Sequence, residues 1–232
     1  MSAPFDESLP IEDSHDLLDL LTRRKARQFE KDQIIFSRHS PPEGLYLLVE
    51  GVVKLSRVSE DGLETVIDVV TNESFFGASS LLQDLELGDR AVALQKSQIM
   101  LWRSDELNGL LLRSPKLSSA LIKLLVQELV KAEDRIDRFA NDNIVRRLIK
   151  ALLHFAETLG VPEPDGTLRI RPLTHELLSR YVGTSREIIT MHLNQLRKKG
   201  AVVYSRAGLQ IYPDKLREEL TAAGPKLPPP VL

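Results

Sequence analysis

The chain has 232 residues, 42% of them hydrophobic, enough apolar content for one large packed domain or two modest ones. With no cysteine it excludes a disulfide frame, thiolate zinc sites and cysteine-ligated iron–sulfur clusters. The formal charge of −2 is unevenly divided: residues 142–206 hold eleven Lys/Arg against six Asp/Glu, net +5, which leaves −7 for the remainder. A basic segment suits phosphate contact, and the acidic remainder argues against a protein that coats nucleic acid along its whole length.

Residues 1–14 are polar, acidic and proline-containing and read as a flexible tail without the basic and apolar regions of a signal peptide. No apolar run approaches the roughly 18 residues of a membrane span, so a cytoplasmic protein without membrane contact is expected. Ser14 is an N-cap for a helix carrying Leu17, Leu18, Leu20 and Leu21. From Ala26 to about Arg103 the pattern is one of short strands: 33–36, 45–49, 52–58, 65–70, 91–94 and 97–102, with Glu50-Gly51 and Glu60-Asp61-Gly62 as turns. Strands at this spacing indicate a compact β-barrel or β-roll. The run Phe75-Phe76-Gly77-Ala78-Ser79-Ser80 interrupts them, an apolar stretch that reaches a glycine and then small hydroxyl residues able to start one turn of helix. Exposed amides of that kind attract anions, and Arg90 follows with a positive charge. A glycine turn and one arginine are structural in most proteins, so the signal is weak by itself.

A long helix is expected from about Pro115 to Phe139. Ile122, Leu125, Leu129, Ala132, Ile136 and Phe139, continued by Asn143, alternate in steps of three and four. That narrow seam fits a partner helix, and a symmetric homodimer is the commonest arrangement that supplies one. Asn141-Asp142-Asn143 reads as a hinge, followed by a helix from Ile144 to about Thr158, a turn at 163–166 and a short strand at 168–171. Thr174 then caps a short helix with Leu177, Leu178 and Tyr181 on its apolar side, and Gly183 breaks it. Thr184 with Glu187 three residues later forms a capping box, which predicts a second helix from Thr184 through Ile188, Ile189, Leu193 and Leu196 to Lys199. Two helices with a glycine turn are the helix-turn-helix unit, whose second helix enters the major groove. Its first turn presents Thr184, Ser185, Arg186, Glu187 and Thr190; arginine can bond guanine bidentately and glutamate can accept from cytosine. The runs 201–204 and 209–212 around Gly208 make a hairpin, so the unit is winged. After Leu216 the proline-rich residues 217–232 read as a disordered tail.

This order, an N-terminal β-roll, a long seam helix, a hinge and a winged helix-turn-helix, resembles the family of the cyclic-AMP receptor protein and the FNR regulators. Val182-Gly183-Thr184-Ser185-Arg186-Glu187 is its most specific match, and Leu45-Tyr46, Gly51, Gly62, Phe75, Gly77 and Arg90 fall on the family's turn and phosphate-loop positions. The resemblance implies an α+β chain with a cyclic-nucleotide-binding-like double-stranded β-helix at 15–110, a dimerisation helix at 111–140 and a DNA-binding domain at 141–216. It further implies that Arg186 and Glu187 read bases of a pseudo-palindromic double-stranded site and that RNA polymerase is a partner. Where the family has a second base-reading arginine this chain has Met191, which can touch a thymine methyl but cannot bond guanine; Thr190 and His192 are the polar positions left to compensate. The effector pocket, Gly77, Ala78, Ser79, Ser80, Arg90 and Ala91, departs further. Members that bind cyclic AMP carry a glutamate at the position of Ala78, a serine or threonine at that of Ala91, and a hydroxyl pair on the dimer helix at those of Ala132 and Glu133.

The expectation is a homodimeric transcription regulator, not an enzyme, whose effector is unidentified and is not cyclic AMP. No nucleophile–base pair or metal cluster stands out, and no cofactor is assigned. His15, His39 and His154 are each isolated, which favours surface or core roles over haem ligation; a small carboxylate near Ser79, Ser80 and Arg90, or no ligand at all, stays open. The alternative from another class is a β-roll sensor whose C-terminal domain binds a protein instead of DNA.

Overall fold

The segment Gly44–Glu50, GLYLLVE, has five successive buried residues and no polar face, so it must be covered on both sides. In the computed structural model, which describes residues 21, 24–82, 88–171, 173–205 and 208–224, it is the third of eight N-terminal strands. These are β1 (Arg27–Phe29), β2 (Ile34–Phe36), β3 (Gly44–Glu50), β4 (Val53–Val58), β5 (Glu64–Val70), β6 (Ser74–Phe76), β7 (Asp89–Ala93) and β8 (Ser97–Arg103). They form two antiparallel sheets in the orders β1-β8-β3-β6 and β2-β7-β4-β5.

The period of two along β3 sends Tyr46 and Leu48 to an inner cluster with Phe36, Val53, Val70, Phe76, Ala91 and Ile99, drawn from both sheets. There the rings of Phe36, Tyr46 and Phe76 lie 5.2 to 6.1 Å apart. Leu45 and Leu47 face the other way, onto Phe75, Trp102, Leu107, Leu117, Leu121 and Leu124. The helical members of that outer cluster come from α1 (Ser104–Arg113) and the first turns of α2 (Pro115–Asn141). Burying side chains such as Leu45, Leu48 and Ile99, each at most 1% exposed, stabilises by on the order of 1.5–3 kcal/mol apiece. The expected β-roll and α+β class are thus present. β1 and β6 went unforeseen because three residues carry too little periodicity to register; β6 is the apolar run that looked like an interruption. The 3-10 turn Ala78–Leu81 follows it, as expected. The helix expected from Ser14 and the tail 1–14 lie outside the described residues, apart from Leu21, which is buried in the outer cluster.

The density of contacts separates residues up to 55 with 69–132 from residues 56–68 with 133 onward. The second unit continues with α3 (Ile144–Leu159), β9 (Val161–Pro162), β10 (Leu168–Ile170), α4 (His175–Val182), α5 (Arg186–Lys198), β11 (Val202–Ser205), β12 (Gly208–Ile211) and α6 (Pro213–Ala222). Its sheet runs β11-β12-β10-β9. Leu148, Ile149, Leu152 and Phe155 of α3 are fully buried, with Phe155 against Tyr181 at 4.8 Å between ring centroids.

Two expectations change here. The Asn141-Asp142-Asn143 break exists, but it is tied down. Asp142 is 7% exposed and accepts from Arg146 Nε at 2.8 Å, with Lys150 Nζ at 2.7 Å. Burial alone would raise its carboxyl, yet these two cations outweigh that and hold it below the ordinary carboxylate value. Asn143 caps α3 by accepting from Arg146 N at 3.0 Å and donates to the carbonyl of Ala223 at 3.2 Å. Arg146 donates to Leu220 O at 2.8 Å, so the first turn of α3 satisfies carbonyls that the end of α6 leaves open. The second change is α6 itself, which carries the chain in helix to Ala222 where a tail was expected from 217; Pro213 starts it and Leu216 is fully buried. The remainder of that tail, 225–232, lies outside the described residues.

Gly183 closes α4 with φ 74° and ψ 54°, and a Cβ there would sit 2.7 Å from Phe139 Cε1. Left-handed backbone and overlap both act against any side chain, so Gly183→Ala is expected to lower stability by about 2 kcal/mol in urea unfolding. In a Phe139→Ala background the loss should shrink to the backbone share of about 1 kcal/mol; equal losses in both backgrounds would disprove the ring contact.

Candidate nucleic-acid interface and effector site

Thr174 caps α4, its hydroxyl accepting from Leu177 N at 3.0 Å. At the other end Gly183 N and Thr184 N both donate to Ser179 O, at 2.9 and 3.0 Å. With the Thr184 amide used there, α5 starts one residue later than expected. Ser185, not Thr184, is its N-cap, and its hydroxyl accepts from Ile188 N at 3.4 Å. Glu187 answers in the first turn: a hydrogen bond from the Ser185 hydroxyl, more than any other influence, holds its carboxylate below the ordinary value. The expected Thr184–Glu187 capping box is therefore not formed: with Ser185 as the cap the third helical position is Ile188, and the exposed Glu187, in the second, accepts from the cap hydroxyl instead.

Ile189, Leu193 and Leu196 anchor α5 from below, each at most 3% exposed. Ser185, Arg186, Glu187 and Met191 are exposed, and Arg197 and Lys198 stand exposed in the last turn. Thr190 is different. Its hydroxyl donates to Arg186 O at 2.8 Å and has His175 Nδ1 at 2.8 Å on its other side, so its one proton is committed within the protein. His192 Nδ1 lies 3.0 Å from Gln195 Oε1. Two side chains that the sequence did not single out join this surface. His175 opens α4, and its Nε2 lies 2.9 Å from the hydroxyl of Tyr204 on β11, the first strand of the wing. Nothing in their spacing announces the pair, because 29 residues and a whole helix separate them.

In the first unit, Gly77 takes φ 81° before the 3-10 turn, and a Cβ there would meet the Tyr46 ring at 2.6 Å. Ala78 packs against the outer cluster. The Ser80 hydroxyl is buried with no hydrogen-bond partner among the described residues, while Ser80 O accepts from Ser104 Oγ at 3.1 Å. Arg90 lies in β7 beside Ala91, which is fully buried in the inner aromatic cluster. The residues after Leu82, 83–87, lie outside the described residues. A separate surface cleft of about 310 Å³ is lined by Arg24, Lys25, Arg27, Leu101 and Arg103.

Along α2, Ile122, Leu125, Leu129 and Ile136 are exposed, with Ile122 61% and Ile136 68%; Ala132 is exposed as well. Phe139 shares their period but lies on Gly183, with the guanidinium groups of Arg135 and Arg147 over its ring at 5.6 and 4.8 Å. Among the described residues no helix is long and apolar enough to cross a membrane, and no three His, Asp or Glu side chains gather to hold a metal.

Residues 26–114 match the cyclic nucleotide-binding domain, and residues 146–219 the Crp-like helix-turn-helix domain. The global nitrogen regulator of Synechococcus elongatus is 30% identical over 188 residues, which cover 80% of this chain and 84% of that protein. The CRP-like cAMP-activated global transcriptional regulator of Mycobacterium tuberculosis is 25% identical over 173 residues, 74% of this chain and 77% of the other. A crystal structure of a CRP/FNR-family transcriptional regulator from Thermus thermophilus superimposes with a TM-score of 0.71 at 26% identity, covering 86% of this chain and all of that one. With the β-roll, the winged helix-turn-helix and the 182–187 turn all in place, the chain belongs to the Crp/Fnr family of transcription regulators.

Proposed function

We propose that two copies of this chain pair along α2 and read a pseudo-palindromic DNA site with α5, each copy entering successive major grooves about one helical turn apart. The observation that carries the reading is the first turn of α5, where Ser185 holds the exposed Glu187 beside the exposed Arg186. Arginine and glutamate so placed address guanine and cytosine edges, and Met191 adds an apolar contact suited to a thymine methyl. Arg197 and Lys198 carry positive charge at the far end for backbone contact. The exposed apolar band at Ile122, Leu125, Leu129 and Ile136 is the face a second copy would cover. RNA polymerase is the protein partner that the family implies.

The effector is not cyclic AMP on this reading. The Mycobacterium relative is cAMP-activated by its name, but here the side chains of Ala78, Ala91 and Ala132 offer no hydrogen bonds, and Ala91 is closed into an aromatic cluster. Each lost bond to a buried ligand group costs about 1–3 kcal/mol, and several together remove useful affinity. The partnerless Ser80 hydroxyl, with Ser79 and Arg90, supports a small anion such as a carboxylate in its place. Occupancy of the β-roll would shift the population between dimers with well and badly aligned reading helices. Because Asp142 and Asn143 are bonded into α3 and α6, the turn moves with the second unit, and bending falls to the chain before Asp142.

Fluorescence anisotropy on a site selected by the protein from random duplexes tests the reading. Arg186→Ala should cost about 1–3 kcal/mol of specific binding and leave non-specific binding at low salt nearly unchanged. Specific binding should not respond to cyclic AMP; a response would overturn the effector assignment, and intact binding by Arg186→Ala the base-reading assignment. The rival protein-binding module would show no salt-dependent DNA affinity. Placing a charge in the seam with Leu129→Glu should convert twice the chain mass to once the chain mass in sedimentation, and a dimer that survives it would locate the interface elsewhere.

A further inference from the structure

His175 joins three elements that must keep a fixed relation for the reading helix to work. Its ring stands at the start of α4, with Thr190 of α5 on one nitrogen and Tyr204 of β11 on the other, at 2.8 and 2.9 Å. The proton positions follow from hydrogen-bond arithmetic. A carbonyl can only accept, so the assignment that keeps both contacts has the Thr190 hydroxyl donate to Arg186 O and accept from His175, with the imidazole proton on Nδ1. Nε2 of the neutral ring then has only a lone pair to offer, and Tyr204 donates to it. The rings of His175 and Tyr204 are 5.9 Å apart and tilted at 54°.

We propose that His175 is a positioning residue for DNA recognition: as a neutral imidazole protonated on Nδ1 it locks the reading helix to the wing, and its protonation loosens the lock. This rests on the reading of α5 as the base-reading helix. The charged and titratable groups around the ring are Arg186 on α5 and Tyr204 on β11, whose hydroxyl also feels Arg197. On its own helix the neighbour Glu176 is paired with Arg180 at 2.7 Å. Burial pushes the imidazole below its ordinary 6.5, and the Arg186 charge adds to that, so the folded protein favours the neutral ring. The sign follows: the lock is complete above pH 6.5 and is lost as pH falls through the lowered value. Protonation turns Nε2 into a donor, so the Tyr204 hydroxyl must turn its own proton elsewhere to accept from it, and it sets a second cation beside Arg186, whose repulsion loosens the contact between α4 and α5. The added charge favours any phosphate backbone regardless of sequence. Discrimination between specific and non-specific duplex therefore falls on acidification even where total affinity rises.

The full-length protein tests this by nitrogen-15 NMR of the imidazole and by the ratio of specific to non-specific affinity across pH. His175 should show the Nδ1–H tautomer in the free protein and titrate below its ordinary value. His175→Ala and Tyr204→Phe should each lower the ratio by about tenfold, and the double variant by no more than the worse single one. His175→Gln, which keeps an acceptor near the place of Nε2, should retain part of the ratio, remain sensitive to Tyr204→Phe and lose the pH dependence. An Nε2–H tautomer, additive losses, or a pH profile unchanged by His175→Gln would overturn the proposal. Arg186→Ala is the separate control: if it leaves the ratio intact, the reading of α5 fails, while the tautomer and the free-state NMR coupling of residues 175, 190 and 204 still decide the lock itself.

Discussion

The left-handed turn at Gly183 is the constraint on which the DNA-facing unit depends. One residue with φ 74° ends α4, and its amide together with that of Thr184 goes to a single carbonyl, Ser179 O. That spends the Thr184 amide, defers the helix start to Ser185, and so decides which hydroxyl faces Ile188 N and Glu187. A Cβ at 183 would need both strained backbone and the space now held by Phe139. The ring itself has the guanidinium groups of Arg135 and Arg147 over it. The placement of Arg186 and Glu187 therefore rests on backbone geometry and one aromatic contact.

Much of the fold was legible because its signals are redundant. The longer strands announce themselves through β-branched runs bounded by glycine, and each then has a sheet partner to confirm it. β1, β6 and β9, of two or three residues each, exist because longer neighbours template them, and no local pattern encodes that. The second helix of the reading unit was legible for a similar reason, since its apolar spacing, cap and glycine stop agree. Its exact start was not: Thr184 and Ser185 are both good caps, and only the hydrogen bonding of the preceding turn chooses between them.

Composition misled where burial reverses the meaning of polarity. Asn141-Asp142-Asn143 has the make-up of a hinge, but Asp142 is a buried ion-paired anchor and Asn143 ties two helices together. Phe139 fits the heptad period as well as Ile136 does and is exposed as well, at 37% against 68%, yet one edge of its ring also lies on Gly183. Period reports that a residue faces the apolar side of a helix and is silent on which partner covers it. The end of the chain misled in the opposite direction: Pro213 belongs at a helix start, and the prolines that follow α6 drew the reading of the whole segment toward disorder.

The proposed effector pocket shows why recognising a family does not identify a ligand. A hydroxyl kept in a buried pocket for a nucleotide is unsatisfied whenever the nucleotide is absent, so affinity for the ligand and stability of the free protein pull against each other. Ala91 resolves that conflict toward the free protein. Its methyl group, fully buried in the same cluster as Phe76 and Tyr46, offers no side-chain hydrogen bond to a ligand. Ser80 resolves it the other way, since its buried hydroxyl lacks a partner among the described residues. On the proposed reading, a pocket that is apolar at Ala91 and polar at Ser80 favours another ligand chemistry on the same fold, and it is the side chains lining it, not the strands that carry them, that make the difference.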